Sequence, residues 1–242
     1  MDDAEFDRAL IAAAFDIAGE TGWRRLSVAA AAQRAGLPLD RARARFPGRG
    51  AVLMRFGLQA DQTALETMAG DTPRDRLFDL LMRRFDALQA HREGVLALLR
   101  ALPRRPGLAL LLGVGTRRSM RWMLDAAGVP THGRLGHVRA RALVGIWLYA
   151  LRAWQGDTSE DLAATMAALD RGLDFAARAE SWLPAGLRTP APAEAEPPPD
   201  GPLPRDPQSG TIAEELPPMP PSPMPPTPMP PAQTGPGVPP AV

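Results

Sequence analysis

The stretch spanning residues 22–58, GWRRLSVAAAAQRAGLPLDRARARFPGRGAVLMRFGL, constrains the fold more than any other part of this chain. Ser27 is a good N-cap for an alanine-rich helix over 28–34, because its hydroxyl oxygen can accept an orphan N–H of the first turn. Gly36 supplies the tight turn that ends that helix. A second short helix follows over about 38–45. Proline at the start of that segment is tolerated because a first-turn N–H has no intrahelical partner. This helix carries Arg41, Arg43 and Arg45, and Phe46-Pro47-Gly48-Arg49 leads into a third helix over about 49–68. Helix, glycine turn and basic second helix are the parts of a helix-turn-helix, which lays one helix in the DNA major groove.

The rest of the chain also reads as helix, punctuated by Gly, Pro and cap residues. Asp2 or Asp3 caps a first helix in which Phe6, Leu10, Ala13, Ala14 and Ile17 share a face. Thr72, Pro73 and Asp75 mark a strong helix start, and Leu77, Leu80, Leu81, Phe85 and Leu88 line one side of the helix over 73–90. Further helices are expected over 94–102, 107–127 and 136–155. A last helix is expected from about 158, capped by Asp157 or Thr158. No β pattern and no repeat of 20–50 residues is present, so the fold class is all-α. The organisation expected is a helix-turn-helix head over 1–57, a larger helical body over 58–183 and a tail over 184–242. The tail contains PPMPPSPMPPTPMPP and lacks apolar periodicity, which predicts a disordered or polyproline II segment.

Composition narrows the chemistry. The chain has no cysteine, which excludes disulfides, thiolate metal sites and thiol nucleophiles. His91, His132 and His137 are scattered without metal-ligand spacing, and Ser119 has no nucleophile motif around it. No catalytic constellation, metal site or cofactor site is therefore expected, and the chain reads as a non-enzyme. The amino terminus, MDDAEFDRAL, is acidic and lacks the pattern of a secretory signal, and no apolar run reaches the roughly 18 residues of a membrane span. A cytoplasmic protein is the expectation. Net charge is only +1, so anion binding must come from local distribution. Between 22 and 58, Arg24, Arg25, Arg34, Arg41, Arg43, Arg45, Arg49 and Arg55 are opposed only by Asp40. Arg41 and Arg45 lie four apart and share a helix face, while Arg43 points away from them.

Leu26-Ser27-Val28, Ala32, Ala35-Gly36-Leu37, Phe46, Arg49 and Leu53, in ungapped spacing, resemble the head of the tetracycline-repressor (TetR) family. RLFDLLMRRFDAL, RSMRWMLDAAGV and DLAATMAALDRGL look like that family's ligand-binding and dimerisation body. The resemblance covers about residues 4–180. It departs at Pro38, where the family has a serine cap, at Asp40-Arg41 in place of Gly-Thr, and at Arg43 in place of tyrosine. It implies phosphate contacts from Ser27 and Arg49, a recognition helix opened by Pro38, and base-edge contacts from Leu39, Arg41 and Arg45. Arg43 would replace a tyrosine hydroxyl with a charge-assisted phosphate contact. It also implies a homodimer through the last two helices, a double-stranded operator, and a small apolar effector contacting Met120, Met123, Trp147 and Leu151. The function expected is a transcriptional regulator, repressing in sense.

A related family offers the alternative. Gly22-Trp23, Ala35-Gly36-Leu37, Ala42-Arg43, Phe46-Pro47, Trp154, Asp157, Ser159, Asp161, Thr165 and Leu169-Asp170-Arg171 are similar to the lipid-binding accessory proteins of ubiquinone biosynthesis. Those share the fold without DNA recognition. On that resemblance the ligand is an isoprenoid lipid and the partner is a membrane surface.

Overall fold

The structure is a computed structural model and describes residues 1–182. The Pro-rich segment over 184–242 lies outside the described residues. Among the described residues there are nine α-helices and no strand: α1 (Asp3–Thr21), α2 (Val28–Arg34), α3 (Leu39–Arg45), α4 (Arg49–Glu66), α5 (Pro73–Gln89), α6 (Arg92–Ala101), α7 (Pro106–Ala126), α8 (Gly133–Gly156) and α9 (Ala163–Ser181). A single 3-10 turn, Leu102–Arg104, joins α6 to α7.

Local signals set most boundaries. Asp2 caps α1 in a capping box: its carboxylate accepts from the Glu5 N–H at 2.7 Å, and the Glu5 carboxylate accepts from the Asp2 N–H at 3.0 Å. Thr72 Oγ1 accepts from the Asp75 N–H at 3.2 Å with Pro73 in the first turn of α5. Pro38 stands outside α3 as its N-cap, in an extended conformation, and Leu39 is the first helical residue.

Helix α9 departs from expectation, since it begins at Ala163 rather than near 158. Leu162 precedes it in the left-handed region (φ 55°), with its side chain buried. Asp157 still stabilises the helix start, but from a distance. Its carboxylate accepts from the Thr165 N–H and the Thr165 hydroxyl, both at 2.8 Å, and from the Ser159 hydroxyl at 2.5 Å.

One face of α1 (Phe6, Leu10, Ala14, Ile17) packs on α2, α4 and α6 and joins Trp23, Ala32, Ala42, Phe46 and Val52 in a single core. The approach of α6 is very close. A Cβ on Gly94 would meet the Phe15 carbonyl oxygen at 2.3 Å, so only glycine fits there. The core continues through Leu80, Leu81, Phe85, Met120, Met123, Leu143, Trp147 and Leu169. Helices α8 and α9 run against each other and against α5 and α7. Of the described helices, none is long and apolar enough to cross a membrane.

Candidate nucleic-acid interface

The helix-turn-helix forms as its sequence dictates. Ser27 caps α2 by accepting the Ala30 N–H at 3.0 Å. Gly36 adopts φ 64°, and the Leu37 N–H returns to the Ala32 carbonyl at 2.8 Å, closing the turn while Leu37 is buried. This fixes α3 against α2 and leaves Leu39, Asp40, Arg43 and Ala44 on the exposed side of α3. Those four positions, i, i+1, i+4 and i+5, form one continuous face.

The arginines of α3 divide between two faces. Arg41 and Arg45 turn toward α1. Arg41 Nη2 donates to Asp3 Oδ1 at 2.5 Å, and its guanidinium sits 4.4 Å from the Phe6 ring centroid. Arg45 donates from Nε and Nη2 to the two oxygens of Asp7, at 2.7 and 2.9 Å, in a bidentate pair. It also donates from Nη1 to Asp3 Oδ2 at 2.5 Å. Arg55 of α4 donates to Asp7 Oδ2 at 2.7 Å. Two carboxylates four residues apart on α1 thus meet two guanidiniums four residues apart on α3. The hydrogen bond from Arg41 holds the Asp3 carboxyl below the ordinary range, and the bonds that Arg45 donates to Asp7 push its own guanidinium upward.

In this geometry Arg41 and Arg45, expected at base edges, are drawn to the carboxylates of α1. The local charge count missed this, since Asp3 and Asp7 lie outside 22–58. The available signal was the shared i, i+4 spacing of Asp3/Asp7 and Arg41/Arg45. Arg43 stays on the open face and donates to the Pro47 carbonyl at 3.0 Å, within the turn that opens α4. Arg49, at the start of α4, donates to the carbonyls of Trp23 (3.3 Å) and Arg24 (3.0 Å), tying α4 to the turn before α2. Leu39 is about half exposed. Ser27 uses its oxygen as the cap acceptor and keeps its hydroxyl proton to donate.

In the body, Met120, Met123, Trp147 and Leu151 are all buried. Trp147 stacks on Phe85 with ring centroids 4.3 Å apart. The layer beside it is not wholly apolar. The buried guanidinium of Arg84 lies 5.2 Å from the Trp147 ring centroid and forms an ion pair with Asp61, to which the Ser119 hydroxyl also donates. Burial pushes Arg84 down to about 10, and its Nε has no hydrogen-bond partner among the described residues. An apolar groove of about 860 Å3 opens elsewhere, between α8 and α9 and beside the start of α5. It is lined by Leu77, Val138, Ile146, Tyr149 and Phe175, of which Val138, Tyr149 and Phe175 are more than half exposed. Met120, Met123, Trp147 and Leu151 do not line it. His91, half-buried, stacks on Phe15, and burial lowers its pKa. No cluster of three or more metal-ligating side chains occurs among the described residues.

Neither family models nor curated proteins give a match to this sequence. Solved structures do. The TetR transcriptional regulator from Nitrosomonas europaea ATCC 19718 aligns with a TM-score of 0.58 and 23% identity, over 72% of this chain and 99% of that one. A tetR-family transcriptional regulator from Streptomyces coelicolor aligns with a TM-score of 0.54 and 21% identity, over 76% of this chain and 85% of that one. The chain therefore has the all-helical fold of TetR transcriptional regulators.

Proposed function

We propose that this protein is a DNA-binding transcriptional regulator whose α3 enters the major groove. The observation that carries this reading is the pairing of an intact helix-turn-helix with an α3 whose outer face is exposed and mixed, presenting Leu39, Asp40, Arg43 and Ala44. Arg41 and Arg45 orient that face by anchoring α3 to α1. Base contact then falls to Leu39, Asp40 and Arg43: an apolar contact for a thymine methyl, an acceptor for cytosine N4, and a donor fork for guanine or a phosphate. Arg49 and the Ser27 hydroxyl supply phosphate contacts at the margins.

The protein works as a homodimer. The exposed apolar side chains Val138, Tyr149 and Phe175 along α8 and α9 are what a second copy would cover, in keeping with a two-fold arrangement. The two heads then meet half-sites about one turn apart, roughly 34–36 Å. The effector is small and mainly apolar, and it enters by repacking the layer of Met120, Met123, Trp147 and Leu151. Arg84 adds a requirement, because its unpartnered Nε favours an effector with one acceptor atom. Effector binding shifts head separation only as far as its affinity differs between the two states.

The test is a salt-titrated binding assay with the DNA upstream of the gene. The expected result is a steep salt slope together with sequence preference. Arg43→Ala should relax preference at one position, an effect of about 1–3 kcal/mol for a bidentate guanine contact. A dimer that binds no fragment specifically, and that purifies with an isoprenoid lipid, overturns the reading in favour of the lipid-binding alternative.

A further inference from the structure

A second concave surface lies between the turn joining α1 to α2 and the end of α6. It is a cleft of about 1130 Å3 whose walls carry Arg24 and Arg25 on one side and Arg100, Arg104 and Arg105 on the other. No carboxylate lines it. None of the five guanidiniums forms an ion pair among the described residues. Glu20, the carboxylate nearest in sequence to the turn, is held by Arg34 in a two-point pair at 2.7 Å. In a chain of net charge +1, five like charges converge without a counter-charge.

Both walls are held in place. Trp23 is buried against Phe15, and the Trp23 and Arg24 carbonyls accept from Arg49, so the turn cannot drift. On the other side, the 3-10 turn carries Arg104 at its end with Arg105 just beyond, and Arg100 is oriented by donating from Nε to the Leu96 carbonyl at 3.1 Å. Close packing of α6 on α1 sets the gap between the walls. Guanidinium groups donate in planar pairs that match phosphate oxygens, and a tightly spaced run of phosphates brings enough negative charge to offset five of them.

We infer that this cleft binds a run of closely spaced phosphate groups, contributed either by a free oligophosphate-bearing small molecule or by the backbone of a bound duplex. The site is separate from the apolar groove of α8 and α9 and from the layer around Trp147. Occupancy would cross-link the end of α6 to the turn that Arg49 ties to α4, so the ligand bridges body and head.

The experiment is calorimetric titration of the full chain with inorganic tripolyphosphate in low-salt, phosphate-free buffer, in parallel with Arg104→Ala/Arg105→Ala and with Arg117→Ala/Arg118→Ala as the charge-matched control. Wild type and control should bind alike, and the cleft variant about tenfold more weakly or worse, as loss of charge-assisted bonds requires. Arg104→Lys/Arg105→Lys keeps the charge and the fold and should fall between, since lysine lacks the fork. A duplex added in the second arm separates the sources. Displacement of tripolyphosphate by duplex, with a shallower salt slope in the cleft variant, assigns the phosphates to DNA. Simultaneous binding with an unchanged slope assigns them to a free ligand. Absence of tripolyphosphate binding to wild type, or equal weakening in cleft and control variants, overturns the inference; because this arm contains no DNA, it does so whether or not the protein reads an operator.

Discussion

Two arginine networks, one in the head and one in the body, solve opposite problems. In the head, Arg41, Arg45 and Arg55 share Asp3 and Asp7 at the edge of α1, and each guanidinium reaches a carboxylate or carbonyl in good geometry. Water still touches most of this cluster. In the body, Arg84 and Asp61 are sequestered beside Trp147, with Ser119 as a further donor and with Arg84 Nε unsatisfied. A buried ion pair adds little net stability over an apolar replacement, yet breaking one half of it is severe. The head cluster therefore fixes the direction of a helix, while the body pair marks a place where a polar ligand atom would be welcome.

The largest expected effect tests the body side of that contrast. Asp61→Ala leaves the Arg84 guanidinium buried without its counter-ion, and should lower unfolding stability by about 3–5 kcal/mol in urea denaturation. Replacing the network together, with Asp61→Leu, Arg84→Met and Ser119→Ala, should recover most of that loss. If Asp61→Ala alone proves neutral, the pair is not as isolated from water as its burial requires.

Next in size is the Ser27→Ala change in the head. It removes the side-chain acceptor from the Ala30 N–H and should cost about 1 kcal/mol, measured by thermal or urea unfolding. Asp7→Asn probes the head cluster itself and should act more on binding than on stability. With Arg55 released from its carboxylate and Arg45 left with Asp3 alone, non-specific DNA affinity should rise. The salt dependence should steepen by about 0.9 per arginine that gains a phosphate. Sequence preference should fall at the same time, because α3 keeps only the Asp3 half of the anchor that aims Leu39, Asp40 and Arg43. An Asp7→Asn protein with unchanged slope and preference would show that Arg45 does not orient α3.

Much of this architecture was readable in the sequence because its signals are local. The Asp2 and Thr72 caps, the Gly36 turn and the apolar face of α1 each specify their own few residues. What escaped depended on contacts between distant segments. Asp3 and Asp7 read as an acidic helix start, and only the packing of α1 on the head brings them to Arg41 and Arg45. Met120, Met123 and Trp147 are buried, and helical spacing alone does not distinguish a pocket wall from packed core. The five arginines of the cleft come from two segments some 75 residues apart, so no window of sequence could have grouped them. Asp157 was recognised as a cap, but its target, Thr165, required the left-handed turn at Leu162 that moves the start of α9.

Asp157 also gives the subtlest way to sharpen the comparison, since it is a carboxylate held by neutral donors where Asp3 is held by guanidinium. Burial alone would raise its pKa. The hydrogen bonds from Ser159 and Thr165 outweigh that and bring it down to about 2 from an ordinary 3.8. A depressed folded-state pKa means the stabilisation is fully present above the unfolded value and is lost as pH falls through the folded one. Between pH 3.8 and about 2 the unfolding midpoint should therefore drop in wild type, and Asp157→Asn should flatten that part of the curve. Because no cation takes part, added salt should leave this contribution in place while weakening the part that comes from the Arg41 contact with Asp3. A pH dependence in this window that salt abolishes entirely would assign it to the head cluster, and Asp157 would then be a cap without an acid-range signature of its own.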